Sequence, residues 1–309
     1  MTEANCLFVS SRGIMKSCDV YPSNPVSSTH QCYDYDWVSL KPGTSVYIIS
    51  SSLPDFFRKA WSQIKVPIIL VSGDCDETMP TDLFDAANLQ LFLNDPRLIA
   101  WFAQNMVSVH PKLHQIPIGM DYHTLSVNTS HAWGPKQTPL EQESVLNLIR
   151  KRADDKPRLM KAYANFQFSL KTRYAADRHE ALKELNKDLV TYEEKPVARF
   201  VTWAKQATHQ FVISPHGGGL DCHRTWEALA LGCYPIVKTS PMDPLFEGLP
   251  VLILEKWSDL RLDKMEMAAK FFSENKMSEK LNLKFWLNKI FAAKQSINAP
   301  PENSLELTE

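Results

Sequence analysis

No stretch of the chain approaches the 18 or so consecutive apolar residues that a membrane span requires. The opening residues, MTEANCLFVSSRG, offer neither a basic leader with a long apolar run nor a small-residue cleavage site, so neither secretion nor membrane insertion is expected. Charge of either sign is not in excess: the formal net charge is −1 at pH 7. That balance removes the basic field of a nucleic-acid binder and the acidic bias of a disordered chain. Six cysteines, Cys6, Cys18, Cys32, Cys75, Cys222 and Cys233, are scattered without a C-x-x-C pair. This spacing excludes a zinc knuckle and a dense disulfide framework, and predicts reduced thiols in a cytoplasmic protein. The sequon Asn128-Thr129-Ser130 would then be idle.

Several catalytic signatures are also missing. There is no P-loop G-K-[ST], no G-x-G-x-x-G fingerprint and no G-x-S-x-G elbow to accompany His216-Gly217-Gly218-Gly219 as an esterase oxyanion loop. His110, His114, His123 and His131 lack the spacing of a zinc site.

What is present is an alternation of short apolar runs and helical patterns over 309 residues, enough for two α/β lobes of about 150 residues each. Residues 1 to 43, rich in Pro, Ser, Asn and Asp, predict an irregular lead-in with at most a short strand near Cys6 to Val9. Strands are expected at Val46 to Ser50, Val66 to Val71, Leu98 to Phe102 and Leu113 to Ile118, with helices at Pro54 to Ile64 and Asp82 to Leu93. Charged, Pro-containing residues after Glu141 to Arg152 place a boundary near residue 150. Beyond it, strands are expected at Arg158 to Ala164, Leu189 to Tyr192, Gln210 to Ser214, Tyr234 to Lys238 and Val251 to Leu254, again alternating with helices. The amphipathic stretch Leu281 to Ala293 is expected to pack back onto the first lobe, and the polar tail from Asn298 to fray. The expectation is two Rossmann-like lobes with parallel sheets facing a cleft: an acceptor-side lobe, 1–150, a donor-binding lobe, 151–260, and C-terminal helices, 261–309.

The strongest chemical signal lies where Phe211-Val212-Ile213-Ser214 ends in Pro215-His216-Gly217-Gly218-Gly219 and a helical pattern begins near Asp221. Glycines let backbone N–H groups approach a ligand, and the following helix start offers unsatisfied donors and partial positive charge. Such a loop suits a diphosphate, with His216, His223 and Arg224 as further donors. Glu227, about two turns along the helix, is placed to accept both ribose hydroxyls. Alone, the glycines could form only a tight turn; coupled to Arg224, Trp226 and Glu227 they read as a nucleotide site.

The run SPHGGGLDCHRTWEALALGCYPIV, Ser214 to Val237, resembles the donor-site signature of exostosin-type glycosyltransferases, family 47, and their viral and algal relatives, and the likeness continues through PMDPLFEGLPVLIL. Weaker echoes occur in VSGDCDETMP (71–80), IPIGMDYH (116–123) and around Tyr163-Ala164-Asn165. The resemblance implies a GT-B-like architecture with the donor on the second lobe and an inverting reaction that requires no divalent metal. It further implies a UDP-sugar donor, with a GDP-sugar as the other candidate, and transfer of xylose or a similar sugar to a glycan hydroxyl; the missing leader makes a cytoplasm the expected location, a host's if the chain is viral. Many exostosins have Arg where this chain has His216, so a permanent cation is needed elsewhere, and Arg173 and Arg178 are the candidates.

Inversion needs a base on the acceptor hydroxyl. Asp74, after a first-lobe strand, is the first choice, with Asp76 and His123 behind it. Two readings compete. Asp74-Cys75-Asp76 could be the metal-binding D-x-D of a GT-A transferase, although that fold needs a longer nucleotide-binding segment ahead of the motif. Alternatively, the chain could bind a nucleotide sugar or glycan without catalysis.

Overall fold

A computed structural model describes residues 2–274 and 279–295; the tail from Asn298 lies outside them. In the first lobe, Thr44–Ile49 (β1), Ile68–Gly73 (β2), Leu98–Ala103 (β3) and Leu113–Gln115 (β4) form a parallel sheet in that order. These strands are apolar almost throughout because both faces of the sheet are covered. Val46 and Ile48 face a core shared with Leu53–Lys59 (α2) and Ala86–Asn94 (α3), while Tyr47 and Ile49 face the opposite core with Ser11–Met15 (α1).

The N-terminal segment is more ordered than its composition suggests. It contributes α1, and Val20 makes a parallel bridge to Val46 at the edge of β1; the expected strand at Cys6 to Val9 is reduced to single bridges. After β4 come His123–Val127 (α4) and a two-stranded hairpin, Ser130–His131 (β5) with Gly134–Pro135 (β6).

Pro139–Asp154 (α5) opens with a capping box in which Thr138 and Glu141 satisfy each other's backbone N–H, with Pro139 in the first turn. The boundary expected at residue 150 falls inside α5, which packs against the second lobe through Leu146 and its neighbours. The helix also holds the first lobe, where the Glu143 carboxylate accepts from the Leu7 and Phe8 N–H groups at 3.0 Å, so it bridges the two lobes.

The second sheet contains Leu159–Ala164 (β7), Val190–Tyr192 (β8), His209–Ile213 (β9), Tyr234–Lys238 (β10) and Leu252–Leu254 (β11), all parallel, in the spatial order β11-β10-β9-β7-β8. Its connections carry Ala175–Glu184 (α6), Arg199–Gln206 (α7), His223–Ala230 (α8) and Asp243–Phe246 (α9). Leu262–Ser273 (α10) buries Met265 and Ala269 in this lobe's core, whereas Leu283–Gln295 (α11) crosses back onto β1, β2 and β3. Of the C-terminal helices, only α11 makes the expected return.

Building outward from β7, the chain runs first to β8 on one side and then to β9 on the other. That reversal is a topological switch point, where open parallel sheets leave a crevice at the strand carboxyl ends. The glycine loop follows β9 and opens on that crevice.

Candidate functional site between the lobes

The loop after β9 is braced from several sides. The Tyr174 N–H donates to Gly217 O at 2.9 Å, and the His216 N–H to Asp177 Oδ2 at 2.9 Å. The His216 ring is buried, with Nδ1 2.8 Å from Leu220 O, so it holds the loop's shape. The cation at the loop is Arg178: its Nε donates to His216 O at 3.0 Å, its Nη1 to Ser169 O at 2.6 Å, and its Nη2 stands 2.3 Å from where a Cβ on Gly217 would lie. Both acceptors are carbonyls, which leave the guanidinium charge available to an anion. Arg173, the other candidate, pairs with Asp82 of the first lobe. Helix α8 starts at Cys222 without a side-chain cap, so its first N–H groups add to the anion-binding potential.

Gly218, Gly219, Arg178, His223, Arg224 and Glu227 line one cavity of about 230 Å³. Arg224 Nε donates to Asn165 Oδ1 at 2.8 Å, and His223 Nδ1 lies 2.7 Å from Gly119 O on the first lobe. Glu227 reaches the cavity, and its carboxylate is already engaged. Oε1 pairs with Arg199, and Oε2 accepts from Trp203 Nε1 at 2.9 Å. Arg199 lies between the Trp133 and Trp203 rings, 4.9 Å from each centroid, and also donates to Asp121 O of the first lobe. A carboxylate oxygen has more than one lone pair, so Glu227 retains acceptor capacity towards a ligand.

The first lobe faces this loop with three groups of the expected base set, in different circumstances. Asp74 is sealed away: it adopts φ 55°, accepts from Ser27 Oγ at 3.0 Å and lies 3.4 Å from Arg12 Nε, with its side chain 3% exposed. Asp76 turns the other way, its Oδ2 2.0 Å from where a Cβ on Gly218 would stand, an approach that a residue without a Cβ permits. Desolvation raises its carboxyl above the ordinary range, opposed by the charge of His223. The two aspartates thus have separate surroundings, Arg12 and Ser27 around Asp74 and the glycine loop beside Asp76. His123 Nδ1 lies 3.2 Å from Asp121 Oδ1, and its ring is 6.0 Å from that of His223. Burial holds His123 below the ordinary histidine range despite the pull of Asp121, so it is a neutral acceptor near pH 7.

Several residues at this junction carried no separate expectation from sequence. Asn105, at φ 52°, accepts from the Asp221 N–H at 2.9 Å, and its amide packs against Gly219. Asp221 Oδ2 accepts from the Ile118 N–H at 2.8 Å, and both its oxygens lie 2.9 Å from Trp226 Nε1. Asp121 and Asp221 stand inside the quoted motifs, where a turn aspartate looks ordinary; Arg199 and Trp133 had no local signal.

Burial pushes the Asp221 carboxyl up to about 6, against the hydrogen bonds that pull it down. Between the ordinary 3.8 and about 6, the folded protein keeps a proton that the unfolded chain has released. This contribution is therefore fully present below pH 3.8 and is lost as pH rises through 6, on the order of 3 kcal/mol across the window. In Asp221→Asn this decline is expected to flatten, measured by urea unfolding across the same pH range; an unchanged slope would show that Asp221 ionises freely.

No protein-family model matches the chain, and no curated protein does. Among solved structures it is similar to the N-terminal domain of trehalose-6-phosphate phosphatase from Candida albicans, at 10% identity over 82% of this chain and 71% of that one, with a TM-score of 0.39. It is also similar to the catalytic domain of starch synthase IV from Arabidopsis thaliana bound to ADP and acarbose, at 10% identity over 83% and 74%, with a TM-score of 0.34. At such scores the likeness is distant. The α/β, GT-B-like arrangement of two Rossmann-like lobes around a cleft is visible in the sheets and the cavity themselves.

Proposed function

We propose that the protein is an inverting glycosyltransferase that takes a sugar from a nucleoside-diphosphate donor and passes it to a glycan hydroxyl. The observation that carries this reading is one cavity between the lobes that gathers the glycine loop, the Arg178 and Arg224 guanidiniums and Glu227. The diphosphate lies at the loop and α8 start, and the ribose lies against Glu227. His123, oriented by Asp121, takes the acceptor proton on Nε2 as the acceptor oxygen attacks the anomeric carbon. The bond from that carbon to the diphosphate breaks, and its electron pair leaves with the phosphate oxygen, stabilised by the loop and Arg178. Asp74, held by Arg12 and Ser27, is turned away from the acceptor. UDP is the favoured carrier and xylose the favoured sugar, by resemblance to the exostosins.

The cavity is smaller than the roughly 300–1,000 Å³ of ordinary small-molecule sites, which favours a closed form that opens to admit donor. Cations at the loop come from the chain's own arginines, and the engagement of Asp74 by Arg12 and Ser27 weighs against the D-x-D reading. The test is thermal unfolding of EDTA-treated protein with UDP, GDP, ADP and their sugar conjugates. A ligand at about 100 times its Kd is expected to add about 2.7 kcal/mol. Stabilisation only with added Mn²⁺ would favour the metal-dependent reading, and no response to any nucleotide would leave the glycine loop as a structural turn. A protein that binds donor yet neither transfers nor hydrolyses it would be the non-catalytic binder.

A further inference from the structure

Beside the glycine loop stands a carboxylate that the binding step does not use. Asp76 follows β2 of the first lobe, and the segment it opens is fastened to the second lobe. The Thr78 and Tyr174 hydroxyls are hydrogen-bonded, and Asp82 pairs with Arg173. Tyr174 in turn donates through its N–H to Gly217 O. These contacts set the Asp76 side chain on the loop, with both carboxylate oxygens within 3.0 Å of where a Cβ on Gly218 would stand. Asp76 is exposed and lines the cavity with Gly218, Gly219, Arg178, His223 and Arg224. Among the described residues its carboxylate makes neither a hydrogen bond nor a salt bridge. Desolvation by the cavity walls acts on it most strongly; the charges of His223, Arg173 and Arg178 oppose that through space, and Glu77 adds to it.

The place Asp76 takes is the one an anionic ligand needs. The glycine loop, the uncapped start of α8 and the guanidiniums of Arg178 and Arg224 concentrate positive potential there. Asp76 brings a negative charge into that field without pairing to any one donor. A diphosphate on the same loop would stand beside this charge in partly desolvated surroundings, where like charges repel more strongly than in water. Entry of the one therefore drives out the other.

Resting on the donor-site reading above, we propose that Asp76 is a resident counter-anion: its carboxylate takes the diphosphate seat in the closed, unliganded protein, and donor enters by displacing it. A free phosphate has only the seat itself to gain. A nucleoside diphosphate also gains the ribose contact with Glu227, so Asp76 restricts the seat to ligands held at both points.

Calorimetric titration of the full chain with UDP and with inorganic pyrophosphate tests this, in metal-free buffer. In Asp76→Asn, which removes the charge at nearly constant volume, both ligands are expected to bind at least about fivefold more tightly than to the wild-type protein. Asp76→Glu, which keeps the charge, is expected to show no such gain. The side chain is exposed and unpaired, so the variants are expected to fold as wild type, which their melting temperatures check; Asp76→Ser is a second neutral replacement. Unchanged affinity for both ligands in the neutral variants overturns the proposal and leaves the donor site standing. Weaker UDP binding in them overturns it too and makes Asp76 a contact of the donor. If UDP, GDP and ADP bind neither the wild-type protein nor Asp76→Asn, the donor-site reading falls and this inference with it.

Discussion

Replacing Glu227 by alanine is expected to lower the unfolding free energy by about 3–5 kcal/mol, the usual consequence of removing one partner from a buried ion pair. Arg199 is 5% exposed and enclosed by two indoles, so water cannot readily solvate the charge left behind. Denaturant unfolding measures this, and a loss below about 1 kcal/mol would mean that the pair is solvated. Because that variant mixes folding with binding, Glu227→Gln is the sharper probe of function. It keeps the volume and can still accept from Trp203, but it offers ribose a single neutral acceptor oxygen. UDP affinity is expected to fall by roughly tenfold or more, equivalent to about 1.4 kcal/mol. Unchanged affinity would assign Glu227 to structure alone.

In His123→Gln, turnover is expected to fall by about 100- to 10,000-fold while donor affinity stays near wild type, the pattern of a lost base. The pH profile gives an independent reading. Burial holds His123 below the ordinary histidine range, so activity should persist below pH 6.5 and decline only as the ring becomes protonated at lower pH. That acid limb should disappear in the variant. Full turnover in His123→Gln would remove it as the base and return attention to Asp76, whose carboxylate faces Gly218.

The lobes were legible in sequence because their central strands, β1, β2, β3 and β9, are buried on both faces and read as short apolar runs. The glycine loop was legible for a similar reason: strand, glycines and helix follow one another within a few residues. What escaped was made by distant segments meeting. Arg12 neutralises Asp74 from 62 positions away, out of a segment whose prolines and serines suggested only an irregular lead-in. Arg199 carried no signal in its own neighbourhood, and only the fold closes Trp133 and Glu227 around it. Arg178 and Arg173 were indistinguishable by composition; only the direction each side chain takes, to the loop or to Asp82, separates them.

Asp221 is bound to the first lobe twice, through its backbone N–H to Asn105 and through its carboxylate to the Ile118 N–H. It also stands two residues after Gly219. Whatever occupies the loop must therefore exert its preference on the attachment between lobes, and the attachment must return the same preference to the occupant. If donor tightens the contact a hundredfold, closure tightens donor a hundredfold, because the two events share one coupling free energy. A substitution at Asn105, touching neither sugar nor base, would then alter affinity for both by shifting the fraction of molecules already closed.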